Sequence, residues 1–141
     1  MWTLSGLGKL MEAVPLLLRV VAGIAFFGFH GLEKLRPGGE WDFGQGFAGK
    51  GLAAAPLLYV TAWLEFLGGL ALLLGLFTRW AALALIAAMS YSIFVMHRGD
   101  PYRHVELYVA YAGLAFCIAA VGPGSLSLDR LFFGRDALNE S

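Results

Sequence analysis

Four apolar runs dominate this chain: Val14–Leu35, Pro56–Phe77, Trp80–His97 and Val105–Val121. About 20 mostly apolar residues cross the hydrocarbon core of a bilayer as a helix, and in hydrocarbon only helices and closed barrels satisfy their own backbone polar groups. The pattern predicts an all-α integral membrane protein, a four-transmembrane-helix antiparallel bundle forming a single domain over residues 1–141. The connections after the second and third spans, Thr78-Arg79 and Arg98 to His104, are too short to separate domains, and short links favour antiparallel neighbours. Composition agrees, since 59% of the residues are hydrophobic and 14% charged, too little polar surface to cover a soluble domain. The first run is longer than the apolar region of a signal peptide. It contains Arg19 and leads into His30-Gly31-Leu32-Glu33-Lys34 with no small-residue cleavage site, so it is read as retained.

Composition also removes several functions. Ten Lys and Arg balance ten Asp and Glu, and no basic block is present that could neutralise a phosphate backbone, so nucleic acid is not an expected partner. The single cysteine, Cys117, excludes an intrachain disulfide, a CxxC redox pair and a cysteine-rich metal cluster, and reads as a small packing residue. No phosphate-binding glycine loop, dinucleotide fingerprint, haem ligand pair or G-x-S-x-G elbow occurs. Ser90 is expected to bond the backbone one turn earlier. Any oxidoreductase role would be that of a subunit whose electrons reside in something it binds, with no turnover by this chain alone.

The connections differ in character. Arg36 to Ala55, RPGGEWDFGQGFAGKGLAAA, is a long glycine-rich loop between the first two helices, and Trp41, Phe43 and Phe47 suit it to the interface or to a lid over the bundle mouth. GPGSLSLDRLFFGR, Gly122–Arg135, stops the fourth helix and resumes as a short amphipathic C-terminal helix, an interfacial segment at about 125–134. There Leu126, Leu128, Leu131, Phe132 and Phe133 dip into the headgroups while Asp129, Arg130 and Arg135 stay wet. Trp2, Leu4, Leu7 and Leu10 admit the same interfacial reading, and no internal repeat stands out. Four spans place both termini on one side. Lys9, Arg79, Arg130 and Arg135 on that side face Lys34, Arg36, Lys50, Arg98 and Arg103 on the other, so charge bias alone does not orient the protein.

Charges inside the first run demand an explanation, because an Arg at the bilayer centre costs about 2.5–3.5 kcal/mol even on insertion scales. At 100° per residue, Arg19, Gly23, His30 and Lys34 fall within a sector of about 60°, which should face the bundle interior. Glu65 lies near mid-depth beside Thr61, Gly68 and Gly69, small residues that let a neighbouring helix approach, while Trp63 on the opposite face suits lipid. The expectation is a buried Arg19–Glu65 ion pair; the alternative is a snorkelling Arg19 over a protonated Glu65. Lys34 is read as snorkelling to headgroups. Ser90 and His97 align on the third span, as do Glu106, Ala110, Gly113 and Cys117 on the fourth. His30, Lys34, His97, His104 and Glu106 should gather at the mouth opposite the termini, beside Tyr59 and Tyr102. His30, Lys34, Glu65, His97, Glu106 and Tyr102 are therefore the candidate ligand-binding residues. Imidazole, carboxylate and phenol beside an apolar slot suit a quinone, which needs donors at its carbonyl oxygens and a titratable group. His30, His97 and Glu106 also have metal-ligand chemistry, but no HxxxH or ExxH spacing supports a site, and no metal is predicted.

LLLRVVAGIAFFGFHGLEKL in the first span, LEFLGGLALLLGLFTR from the second into the third, and GPGSLSLDRL after the fourth together resemble the DoxX family of small bacterial and archaeal membrane proteins, over nearly the whole chain. The ordered combination carries the likeness: an intramembrane Arg, the HGxxK ending, an acid before Gly-Gly, the FTR turn and the GPGxxSLD exit. The resemblance implies kinship with the membrane subunit of a thiosulfate:quinone oxidoreductase or quinol oxidase. A mycobacterial relative is placed in a membrane oxidoreductase complex with superoxide dismutase and a sulfurtransferase, while wider relatives look like eukaryotic cargo receptors and assembly chaperones. It also implies that Arg19, His30, Lys34, Glu65 and Arg79 are the family's polar positions, and that both termini lie in the cytoplasm. The reading that follows is a multi-pass inner-membrane subunit of thiol or sulfur redox metabolism, with a quinone or small sulfur species at its outer mouth. Its partners would be the lipid bilayer, other membrane or peripheral redox proteins, and further copies of itself. The competing reading is a non-catalytic scaffold, assembly chaperone or cargo-binding protein.

Overall fold

The computed structural model describes residues 4–36 and 55–134. The aromatic loop with Trp41, Phe43 and Phe47, the side chains of the first seven residues and of Leu10, and Arg135 lie outside the described residues, and the readings made for them stay with the sequence. All regular structure among the described residues is helical. α1, Leu4–Ile24, runs through a wide π-helical turn, Ala25–Gly31, into α2, Leu32–Leu35; α3 is Ala55–Leu74. α4, Thr78–Tyr91, ends in a second π-helical turn, Ser92–Met96, followed by α5, Tyr102–Val121, and α6, Leu128–Phe133. Four stretches are long and apolar enough to cross a membrane: Ala13–Leu35, Pro56–Leu74, Thr78–Met96 and Tyr102–Val121. The protein is thus an all-α, four-span, multi-pass membrane protein. Each spanning helix packs on the next, and α5 returns to α1 to close the bundle.

The second span stops three residues before the end of its apolar run for a local reason. Gly75 takes φ +66°, its N–H donates to Leu72 O, and Leu76 N–H donates to Ala71 O, the paired bonds with which a left-handed residue terminates a helix. α4 then begins after Phe77, itself at φ 48°.

Backbone contact between the first two spans positions everything else. A Cβ on Gly31 would meet the backbone N of Phe66 at 2.4 Å, and one on Gly69 would meet the backbone N of Phe27 at 2.3 Å. Small residues beside Glu65 do allow the close approach expected of them. The inward stripe of the first span steps Pro15, Arg19, Ala22, Phe26, and then jumps five residues to Gly31 before Lys34. That jump is the π-helical turn, which inserts one residue into the α-helical count. The apolar interior lies between two polar ends, with Phe26, Leu72, Leu85, Met89 and Ile118 at its centre.

Candidate functional site

At the end of the bundle remote from the described chain termini, Lys34 Nζ donates to both oxygens of the Glu65 carboxylate at 2.7 Å. The two side chains are 7% and 0% exposed. This corrects two expectations: Glu65 pairs with Lys34 and not with Arg19, and Lys34 turns inward instead of snorkelling. The register of the α1–α3 contact, Gly31 against Phe66 and Gly23 against Gly69, carries Glu65 toward Lys34. Burial makes the pairing obligatory, since removing one partner would leave the other charge stranded in a low-dielectric interior.

Arg19 occupies the opposite end, where its fork of donors closes the bundle. Its Nε donates to Leu72 O at 3.0 Å, and its Nη1 to Leu126 O at 2.9 Å and to Pro123 O. Carbonyls in the last turn of α3, which the helix leaves without an intrahelical partner, and in the 122–126 turn are natural acceptors for a buried cation. Asp129 does not stay wet as expected. Its carboxylate accepts from Phe77 N–H and Thr78 N–H, capping α4, while its own N–H donates to Gly75 O at 2.8 Å. The amphipathic C-terminal piece is therefore sewn onto the bundle by its polar atoms, with Leu126, Leu131, Phe132 and Phe133 left exposed.

The two histidines approach the inner face of α5 from different helices. His30, in the first wide turn, lies edge-on to Tyr111 with centroids 4.9 Å apart, beside Phe26 and within Coulombic range of Lys34. His97, directly after the second wide turn, stacks on Tyr108 at 4.9 Å. Its Nδ1 is 2.9 Å from Asp100 Oδ2 and its Nε2 is 3.2 Å from Tyr108 Oη. With Nδ1–H donating to the carboxylate, neutral Nε2 is left to accept the tyrosine proton. Tyr108 in turn lies within Coulombic range of Glu65. A hydrogen-bonded line thus runs from Asp100 through His97 to Tyr108, with the Glu65–Lys34 pair a separate polar unit at the same end.

His30, Lys34, Glu65 and His97 are brought to this end together; Glu106 and Tyr102 are not part of the cluster. The predicted stripe Glu106, Ala110, Gly113, Cys117 exists, but all four residues are exposed, so it faces outward and Cys117 is not a packing residue. Tyr102 is 68% and Tyr59 52% exposed, and His104 is exposed, accepting from Arg103 Nε at 3.3 Å. Among the described residues no group of three or more His, Cys, Asp or Glu is arranged to hold a metal ion. The weak metal candidates do not converge because Glu106 lies on the far face of α5 from both imidazoles. Ser92, not Ser90, makes the expected bond one turn back, to Ala88 O at 3.0 Å.

Sequence reasoning missed Asp100, Tyr108 and Tyr111. The signal was present: Tyr108, Tyr111, Ala115 and Ile118 recur at three- and four-residue steps, the pattern of an inward face. Placing the acidic residue inward hid it, because Glu106 lies on the opposite side of the helix.

Comparison with known proteins agrees with this architecture. No solved structure matches the chain. An uncharacterized protein of Haemophilus influenzae is 35% identical over 123 residues, covering 82% of this chain and 88% of that protein. The DoxX family profile matches residues 14–98, a range that includes Arg19, His30, Lys34, Glu65 and His97. With a profile match over more than half its length and a relative this similar over most of both chains, the protein belongs to the DoxX family.

Proposed function

We propose that this chain is the membrane subunit of a redox system working on thiols or small sulfur compounds, and that it holds a quinone-type carrier at the mouth where His97 meets Tyr108. The observation behind this reading is the hydrogen-bonded line Asp100, His97, Tyr108. Reducing a quinone takes up two protons along with two electrons, so its site needs a donor at the carbonyl oxygen and a route from water to that donor. His97 bonded to both a carboxylate and a phenol has that form, and the half-buried aromatic ring of Tyr111 on the same face of α5 suits a flat ring. The chain supplies binding, orientation and protons, while electrons come from a partner. In this reading the mouth faces outward and the termini are cytoplasmic.

Titrating the detergent-purified protein with a short-tailed quinone analogue, and following quenching of its tryptophan fluorescence, tests the idea. Saturable binding that weakens about tenfold or more in His97→Ala, with Glu106→Ala unchanged, is the expected result; each good hydrogen bond to a buried group is worth about 1–2 kcal/mol. Non-saturable quenching, or a His97→Ala protein that binds normally, removes the proposal.

One observation favours the second reading, a non-catalytic scaffold or assembly factor. The fourth span is the least buried, 17% of its apolar stretch against 28% to 39% in the others, and its outer stripe of small residues around Gly113 suits a foreign helix. Under that reading, substitutions on this stripe disrupt a complex while His97→Ala leaves it intact.

A further inference from the structure

Between α1, α3 and α6, at the end of the bundle that carries Arg19, lies a groove of about 750 Å³. Its walls are leucines, among them Leu16, Leu73, Leu74 and Leu131, and its polar boundary includes Arg19 and Arg130. We propose that this groove is a binding site for an anionic glycerophospholipid, its acyl chains against the leucines and its phosphate against the Arg130 guanidinium.

Depth comes first. α6 exposes Leu131, Phe132 and Phe133 at 58%, 60% and 55%, and beside the ends of four spans such a surface rests at the boundary of headgroups and acyl chains. A groove opening there meets lipid before it meets any water-soluble ligand. Charge comes second. Arg19, Arg79 and Arg130 surround this end of the bundle; Arg79 sits 3.4 Å from where a Gly122 side chain would begin. The described acid here, Asp129, has its carboxylate engaged by Phe77 N–H and Thr78 N–H. The local excess is positive, and Arg130 has no anionic partner among the described residues.

Arg19 supplies an independent indication. Its residue is 2% exposed, Nε and Nη1 are satisfied by three carbonyls, and its Nη2 lies beside Gly75. A buried guanidinium bordering a groove, whose direct partners are carbonyls, adds to the positive charge at this end and favours a negative headgroup beside it. A zwitterionic headgroup answers that need less well than an anionic one. Leucine walls select a molecule with chains over a free anion.

Native mass spectrometry of the full chain, released from micelles doped with phosphatidylglycerol or phosphatidylcholine, tests the site. The expected result is retention of phosphatidylglycerol in preference to phosphatidylcholine, about tenfold weaker in Arg130→Gln, unchanged in Arg98→Gln at the opposite end. Leu73→Trp, which fills the groove and keeps every charge, should also reduce retention. Thermal melting of each variant without added lipid checks that it is folded. Equal retention of both lipids, retention indifferent to Arg130→Gln, or full competition by glycerol phosphate without acyl chains would each overturn the proposal.

Discussion

Lys34 and Glu65 matter to one another more than either matters to its helix. Burial gives each charge a desolvation cost that the partner at 2.7 Å offsets, so single and double replacements should differ in kind. Lys34→Met or Glu65→Met alone is expected to destabilise by about 3–5 kcal/mol, whereas the double replacement should restore most of the loss. Chemical unfolding in mixed micelles checks this, and additive losses would mean that the two charges act independently. That ionisable groups in this chain must be buried with partners was legible in the sequence. Which partners was not: a hairpin laid out from the apolar boundaries places Glu65 opposite Phe26, midway between Arg19 and Lys34. Only the slide produced by Gly31 against Phe66 decides the matter. Arg19 finding carbonyls instead of an acid was hidden as well, because acceptors on the main chain leave no trace in residue identity.

The wide turn in the first span converts a sequence-level stripe into a working one. Its extra residue moves the inward face from Phe26 to Gly31 and on to Lys34, leaving Phe29 72% exposed. Deleting Phe29 removes the inserted residue, so the segment should return to α geometry with Gly31 four and Lys34 seven residues after Phe26, both still facing inward. The deletion is therefore expected to leave the unfolding midpoint much closer to that of the native chain than Lys34→Met does; a midpoint as low as that of Lys34→Met would show that the wide turn itself, and not only the facing it preserves, holds the pair together. Such turns are poorly visible in sequence, since a period of 3.6 and one inserted residue differ little over seven positions. On α5 the periodicity was legible and its direction was not. Glu106 lies near the mouth, where a carboxylate reaches water from an outer face, so it does not compel its stripe inward as Glu65 compels its own.

At the scale of the molecule, four spans and one bundle followed from apolar length alone, because hydrocarbon leaves a chain so few ways to satisfy its backbone. Sidedness did not follow, since the Lys and Arg count is nearly even at the two ends. The proposed orientation predicts that Arg98→Cys in a Cys117→Ser background reacts with a membrane-impermeant maleimide in intact cells, whereas Ser125→Cys reacts only after the membrane is opened; the reverse pattern inverts the protein. The bundle has an anchored end, where α6, Arg19 and Asp129 hold the helix termini, and a titratable end, where His97 and Asp100 meet the mouth.

Arg19 enters the bilayer early in synthesis, yet two of its acceptors, Pro123 O and Leu126 O, lie 104 and 107 residues further along. Until the ribosome has delivered them, the first helix carries a cation whose coordination is incomplete. Arrival of the 122–126 turn and sealing of the first helix are one event, so the earliest span is locked by one of the last turns to leave the ribosome.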